Sequence, residues 1–274
     1  MTTTGSALVI LTFTDLAVCG LLVLALALLV RLMRLGIETQ IVVAACRTVV
    51  QLMAVGMVLK LVFSNISPLY LLLMATVMLC SASFEVLSRQ KRKLNWKKGL
   101  MASSSAMFIS SFIITASALL LIIEADPWYT PQYAIPLLGM LLGNTMNGIS
   151  LGIDRLIQNA WQQRAVIEQK LMLGYRADRA IAHIKHESVR AAMIPSINSM
   201  AAAGLVSLPG MMTGQILAGS PPIEAVKYQI FIMFLIVAGT GFGVMAALSM
   251  ISRMLFDKRE RLRFETILDK THIT

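Results

Sequence analysis

Arg47 stands well inside a long apolar run, with Gln51 one helical turn further along the same face. An ionisable side chain at membrane depth costs roughly 2.5–3.5 kcal/mol on insertion scales, so it should face protein or water and take a partner. Glu85 is the nearest acidic candidate along the chain, close to one end of its own apolar run, and Asp15 is a poorer match in depth. Two readings stand side by side: charges on a transport pathway, or a structural ion pair that locks helices together. Asn144 and Asn147 fall in a later run, and Ser196, Asn198 and Ser199 in the next. Their amides and hydroxyls suit bonds between helices or the lining of a polar route. Met211-Met212 is the one thioether pair worth weighing as a soft-ion ligand, against plain flexible packing. His183, His186 and Glu187 give the order H-x-x-H-E, which is neither zinc-protease spacing. They read as solvated residues. No G-x-x-x-x-G-K-[ST] phosphate loop is present, so P-loop ATP hydrolysis is excluded. No catalytic residue and no cofactor are expected in this chain.

The elements that must position these residues are membrane helices. Hydrophobic residues make up 57% of the 274, and mean hydropathy is +0.75. A soluble domain would be about 45–50% apolar. Leu16 to Val30 carries no charge. Such runs match a hydrocarbon core about 30 Å thick, crossed by ~20 helical residues. Lipid offers backbone groups no partner, so the spans should be helices. Seven are expected, at 8–31, 39–63, 66–87, 99–123, 134–153, 191–219 and 226–255, in one all-α membrane domain covering 1–274. The formal charge of +10 fits basic loops better than nucleic acid, and 21 of the 24 Lys and Arg fall on one side of the spans. That side should be the cytoplasm, with the N-terminus outside and the C-terminus inside. The N-terminal MTTTGSALVI has no basic lead, so the first span should remain in the mature protein. Cys19, Cys46 and Cys80 lack metal spacing and read as buried small apolar residues.

Gly139-x3-Gly143 and Gly148-x3-Gly152 in span 5, Gly210-x3-Gly214 in span 6 and Gly239-x3-Gly243 in span 7 let backbones approach closely. Spans 5–7 should therefore form the packed core, with the Leu-rich spans 1 and 3 peripheral. Span 6 runs 29 residues from Ala191 to Gly219, about 44 Å as a straight helix, with Pro209-Gly210 inside it. Proline breaks or kinks a helix, and open backbone at membrane depth is tolerated only within protein or along a cavity. Ser207–Gly214 is thus a pathway candidate or a structural kink. Pro127, Trp128, Tyr129, Pro131 and Tyr133 suit interfacial anchoring on the opposite face.

A polar, basic segment at 154–190 interrupts the apolar pattern. Residues 155–173 can form an amphipathic helix with Leu156, Trp161, Ile167 and Leu171 among its apolar positions. Gly174 suits a left-handed helix end, and a second helix can start near Ala177-Asp178. The alternative is a helix lying in the membrane interface. Glu168, Gly174 six residues later and Ile184 ten after that resemble the spacing of the cytoplasmic EAA loop of ABC-transporter permeases. The two Ala of that pattern are Gln169 and Lys170 here, and its closing Leu-Pro is absent, although Ile194-Pro195 lies further on.

With that loop and the last three spans in view, the chain resembles the FetB family of ABC permeases, which includes a bacterial iron exporter and plant aluminium-tolerance permeases. The strings that carry this are PLLGMLLGNTMNGISLGIDRL (136–156), EQKLMLGYRADRA (168–180), GLVSLPGMMTGQILAG within 187–230 and, more weakly, CRTVVQL (46–52). The resemblance implies a multi-pass subunit of the bacterial inner membrane. Two copies would pair with two FetA-like ATPases that hold ATP and Mg. It implies metal homeostasis, with iron export foremost. It also implies that Glu168, Leu171, Gly174, Tyr175, Asp178 and Ile184 couple the permease to the ATPase. Arg47, Gln51, Glu85, Asn144, Asn147, Asn198, Ser207, Pro209, Gly210, Met211 and Met212 are the pathway candidates. The competing reading is a secondary transporter or channel that uses Arg47 and Glu85 as coupled charges and needs no ATPase.

Overall fold

The computed structural model describes residues 12–64, 67–90, 96–124 and 126–264. Residues 8–11 of the first expected span, 91–95 of a basic loop and the basic Lys270 lie outside the described residues, as does the N-terminal decapeptide.

The elements are all helices, in the order α1 (Phe13–Leu32), α2 (Glu38–Ser64), α3 (Pro68–Ser88), α4 (Trp96–Met107), α5 (Ile113–Ala118), α6 (Pro131–Gln162), α7 (Arg164–Met172), α8 (Ala177–Ala180), α9 (Ala182–Ala202), α10 (Gly210–Leu217) and α11 (Pro222–Met254). Two wider π-helical turns, Phe108–Phe112 and Leu119–Ile123, join and extend α4 and α5 into one membrane-length rod. Among the described residues, six helices are long and apolar enough to cross a membrane: α1, α2, α3, the α4–α5 rod, α6 and α11. The expected span at 191–219 is not among them. It is split between α9 and α10 by the non-helical stretch 203–209.

Local chemistry explains several helix ends. Thr12 and Asp15 form a reciprocal capping box at the start of α1, with Thr12 N donating to Asp15 Oδ2 at 2.8 Å and Asp15 N to Thr12 Oγ1 at 3.4 Å. Asp15 is thereby committed to its own helix and is no partner for Arg47. Ser67 caps α3, whose first residue is Pro68. α6 and α11 span 32 and 33 residues, roughly 48–50 Å each, so both project well beyond a 30 Å hydrocarbon core.

Close glycine contacts bind α6 to α9 and α11. A side chain at Gly148 would meet Thr240 and Val244 of α11, and one at Gly152 would meet Leu248 and Ala192. A side chain at Gly243 would lie 2.5 Å from Thr145 Cγ2 and 2.8 Å from Ser110 Oγ. Around these contacts Ile149, Ile153, Leu156, Val244, Leu248 and Ile251 are fully buried. The expected core of spans 5–7 therefore forms, but with two differences. Gly210 and Gly214 face open space and pack against nothing. The third span is not peripheral, because Ala82, Ser83, Val86 and Leu87 at the end of α3 are buried in the same core. Its small residues allow the approach that its leucines alone would not. The three cysteines are exposed on helix surfaces rather than buried. Cys19 and Cys46 sit on α1 and α2, which bury almost nothing within this chain.

Candidate functional site

The basic segment folds into a knob at the end of α6. The expected single helix over 155–173 is instead the last turns of α6 plus α7, separated at Gln163. Leu156, Ile157 and Ala160 at the end of α6 and Ile167 on α7 all turn inward. α7 ends at Gly174, whose φ is +85°, a left-handed conformation that a side chain would strain. Gly174 N donates to Leu171 O and Tyr175 N to Lys170 O, both at 3.0 Å, the paired bonds of a Schellman helix end. The short α8 begins at Ala177, as the sequence leads one to expect, and α9 follows directly.

The knob divides the coupling candidates into two groups. Ile184 is 4% exposed and anchors α9 in the core, while Leu171 packs partly against that core. Glu168, Tyr175 and Asp178 face outward. So do two residues that sequence reasoning passed over, Met172 and Leu173, which are 79% and 77% exposed at the tip.

Sequence reasoning also missed the stretch that follows α11. Residues 255–264 turn back as a hook against the knob. Asp257 holds the bend. Its Oδ1 accepts from the amides of Arg259 and Arg261 at 2.8 and 2.9 Å, and its Oδ2 pairs with the Arg261 guanidinium at 2.7 Å. The Arg261 amide first, with the Arg259 amide and the Arg261 side chain, lowers the Asp257 carboxyl pKa to about 2. Arg263 N donates to Leu255 O at 2.8 Å, and Phe264 meets Trp161 of α6 edge-on at 5.1 Å between ring centres. Glu260 Oε2 accepts from Ala177 N, the first amide of α8, at 3.1 Å. The alternation of acidic, basic and aromatic residues in FDKRERLRF was the available signal, since an Asp at a turn with two following amides is a common bend.

The membrane-depth candidates converge in part. Arg47 Nη1 donates to Glu85 Oε2 at 2.9 Å, Arg89 Nε to Glu85 Oε1 at 3.2 Å, and Arg89 Nη1 to Asn147 Oδ1 at 2.8 Å. One polar chain thus ties α2 to α3 and α3 to α6. Arg89 was hidden from sequence reasoning because it lies in a run of loop bases. Asn144 instead donates to Met140 O of its own helix at 2.8 Å. Gln51 is exposed, one turn from Arg47. Asn198 lies on the exposed face of α9 with Ile194, Ile197 and Ala201.

The break between α9 and α10 lies before Pro209, not at Pro209-Gly210. Gly204 makes the turn with φ +84°, its N–H donating to Ser207 O at 2.9 Å, while Ser207 N donates to Ala202 O at 3.2 Å. Pro209 is the N-terminal cap of α10 and Gly210 its first residue, positions that tolerate a missing N–H. Leu205 and Val206 are 91% and 85% exposed. Met211 packs against a second apolar cluster, with Ile232 and Leu137 at its centre. Among the described residues, no group of three or more His, Cys, Asp and Glu comes together to hold a metal.

A bundle of apolar helices with glycine-packed crossings and a basic knob at one end defines a polytopic membrane protein. The chain belongs to the family described as "Uncharacterised protein family (UPF0014)", which matches residues 13–256. It is 39% identical over 247 residues to a UPF0014 membrane protein of Synechocystis sp., covering 89% of this chain and 93% of that one. It is 33% identical over 248 residues to the Escherichia coli "Probable iron export permease protein FetB", covering 90% and 93%. It is 32% identical over 200 residues to the "UPF0014 membrane protein STAR2" of Oryza sativa, covering 73% and 68%. No solved structure matches the chain.

Proposed function

We propose that this chain is the membrane-spanning permease subunit of an ABC transporter in the bacterial cytoplasmic membrane, moving a metal ion outward, with iron the leading substrate. Two copies pair with two ATPase subunits, which bind ATP and Mg. The chain itself performs no catalysis. The basic end of the bundle is cytoplasmic, placing the N-terminus outside and the C-terminus inside. The name of the Escherichia coli relative supports permeation and iron.

The observation that carries the reading is the knob. α7, a left-handed Gly174 and α8 form a rigid projection at the end of a helix longer than the membrane is thick. Its tip shows Met172, Leu173 and Tyr175, large side chains left exposed by the rest of the chain. Such a patch suits a protein partner. Glu168 adds a charged acceptor, and charged hydrogen bonds are worth about 1.5–3 kcal/mol. Closure of the ATPases pushes the knobs and switches access. The chain Arg47–Glu85–Arg89–Asn147 and the open backbone at 203–209 supply the polar elements of the route. That same charge chain is the one feature favouring the second reading, an ATPase-independent transporter.

The experiment is pull-down of the ATPase together with its stimulated hydrolysis in reconstituted membranes. Glu168→Lys and Gly174→Val insert normally, yet each should weaken binding about tenfold or more, or uncouple hydrolysis from transport. If both bind and couple like the wild type, the docking role is wrong and the second reading takes its place.

A further inference from the structure

A groove of about 820 Å³ opens on the flank of the bundle, between the first turns of α9 and the last turns of α11. α9 gives it His183, Lys185, His186, Glu187 and Arg190. α11 gives it Met245 and Ser249. The two helices lie side by side here, since a side chain at Gly241 would meet Met193 and one at Gly152 would meet both Ala192 and Leu248. We infer that this groove binds an anionic phospholipid, with the phosphate held by Lys185 and Arg190 and the acyl chains laid along Met245 and Phe242. The inference needs only the membrane-spanning helices and is independent of the ATPase reading above.

Position selects a lipid. Arg190 is the last charged residue before an uncharged run at 191–223, and on α11 no charge lies between Lys227 and Arg253. The basic end of the groove therefore sits at the edge of the hydrocarbon. Met245 lies eight residues inside Arg253, about 12 Å of helix, and Phe242 follows one turn deeper on the same face. These two side chains are 46% and 59% exposed, at a depth that a soluble partner does not reach. Charge selects an anion. A cation at the membrane edge calls for a counter-charge. Among the described residues Lys185 and Arg190 form no ion pair, and Glu187, the one acid in the groove, pairs with neither. The imidazoles of His183 and His186 add ring N–H donors. Two cations and two imidazoles thus line the groove beside a single carboxylate. Basic pockets between membrane helices at the cytoplasmic face take phosphate headgroups in this way. A free phosphate would use the basic end alone and leave Met245 and Phe242 uncovered.

The test uses the full-length chain purified in a neutral detergent, with binding of phosphatidylglycerol and of phosphatidylcholine titrated by native mass spectrometry. Phosphatidylglycerol should bind at least about tenfold more tightly than phosphatidylcholine. Lys185→Gln/Arg190→Gln should abolish that preference and leave phosphatidylcholine binding as it was. Glu187→Gln removes the one opposing charge and should tighten phosphatidylglycerol binding about threefold. A variant that merely disturbed the fold would move binding the other way. If the wild type holds both lipids alike, no headgroup is read and the inference falls. If the double variant keeps the preference, or Glu187→Gln weakens it, the lipid does not sit in this groove. If inorganic phosphate displaces phosphatidylglycerol at comparable concentration, the groove is a site for free anions and the lipid is wrong.

Discussion

None of the apolar stretch of α2 is buried within the chain, whereas 56% of that of α6 is. The two helices have similar length and both must lie in lipid, so hydrophobicity cannot explain the difference. α2 is in fact the more hydropathic, with a mean hydropathy of 2.0 against 1.2. Lipid tails are as apolar as leucine, so apolar side chains gain little by leaving them for one another. What α6 has is small residues at helical spacing. Gly148 and Gly152 bring its backbone against α11 and α9, and Gly243 does the same from the other side. α2 offers only Gly56 in its interior, and nothing stands within 4 Å of it. The α1–α2 hairpin is instead tied to the bundle by a polar link, Arg47 to Glu85. In this membrane protein, close packing is written in glycines and attachment in charges.

The contrast can be broken at its strong end first. Gly243→Val places a branched three-carbon side chain where Thr145 and Ser110 are fully packed, and overpacking of this kind costs about 1–3 kcal/mol. The variant should show the largest loss of thermal stability in detergent, with reduced yield of folded protein. A melting curve matching the wild type would mean that α6 and α11 do not cross at this point.

A middle effect is expected at the polar link. Glu85→Gln removes the charge that both Arg47 and Arg89 address. Both arginines are about half exposed, so screening trims the loss to about 1 kcal/mol or less where water reaches them. The hairpin should loosen while the core keeps its melting temperature. Limited proteolysis of the α1–α2 hairpin in detergent reads this, and faster cleavage is the expected result. Unchanged cleavage would show that the hairpin is held by something other than the pair.

The smallest effect belongs to Gly56→Leu. A side chain there meets open space, so stability of the isolated chain should shift by no more than about 0.5 kcal/mol. The measurement also sharpens the comparison. Should the variant stay stable yet fail to form a two-copy complex by crosslinking, the bare face of α2 is covered by a second chain. That outcome would also explain how Arg47 and Gln51 are tolerated on a helix that is uncovered within one chain.

Much of the basic knob was legible in the chain itself. Gly174 announced a left-handed helix end, and Ala177 began the next helix where expected. These features depend on a few neighbouring residues, so local sequence determines them. The break in the long span was legible as a break but misplaced. Proline drew attention to residue 209, while Gly204 makes the turn and Pro209 merely starts the next helix.

The amino-acid sequence by itself determined that this is an all-α membrane protein, where six of its seven expected apolar spans run, which end is basic, and that a helix, a turn at Gly174 and a second helix near Ala177 follow one another, although the helix expected at 155–173 is split at Gln163. Each of these follows from period, length and charge, which are properties of contiguous residues. Only the tertiary structure decided which of the candidate charges meet, since Arg47 and Glu85 are 38 residues apart and Arg89 and Asn147 are 58 apart. It alone brought Glu260 to Ala177, 83 residues away, and so made the C-terminal hook part of the knob. A hydrogen bond between distant residues leaves no period in the sequence, because its geometry is fixed by the rigid helices that carry the two partners.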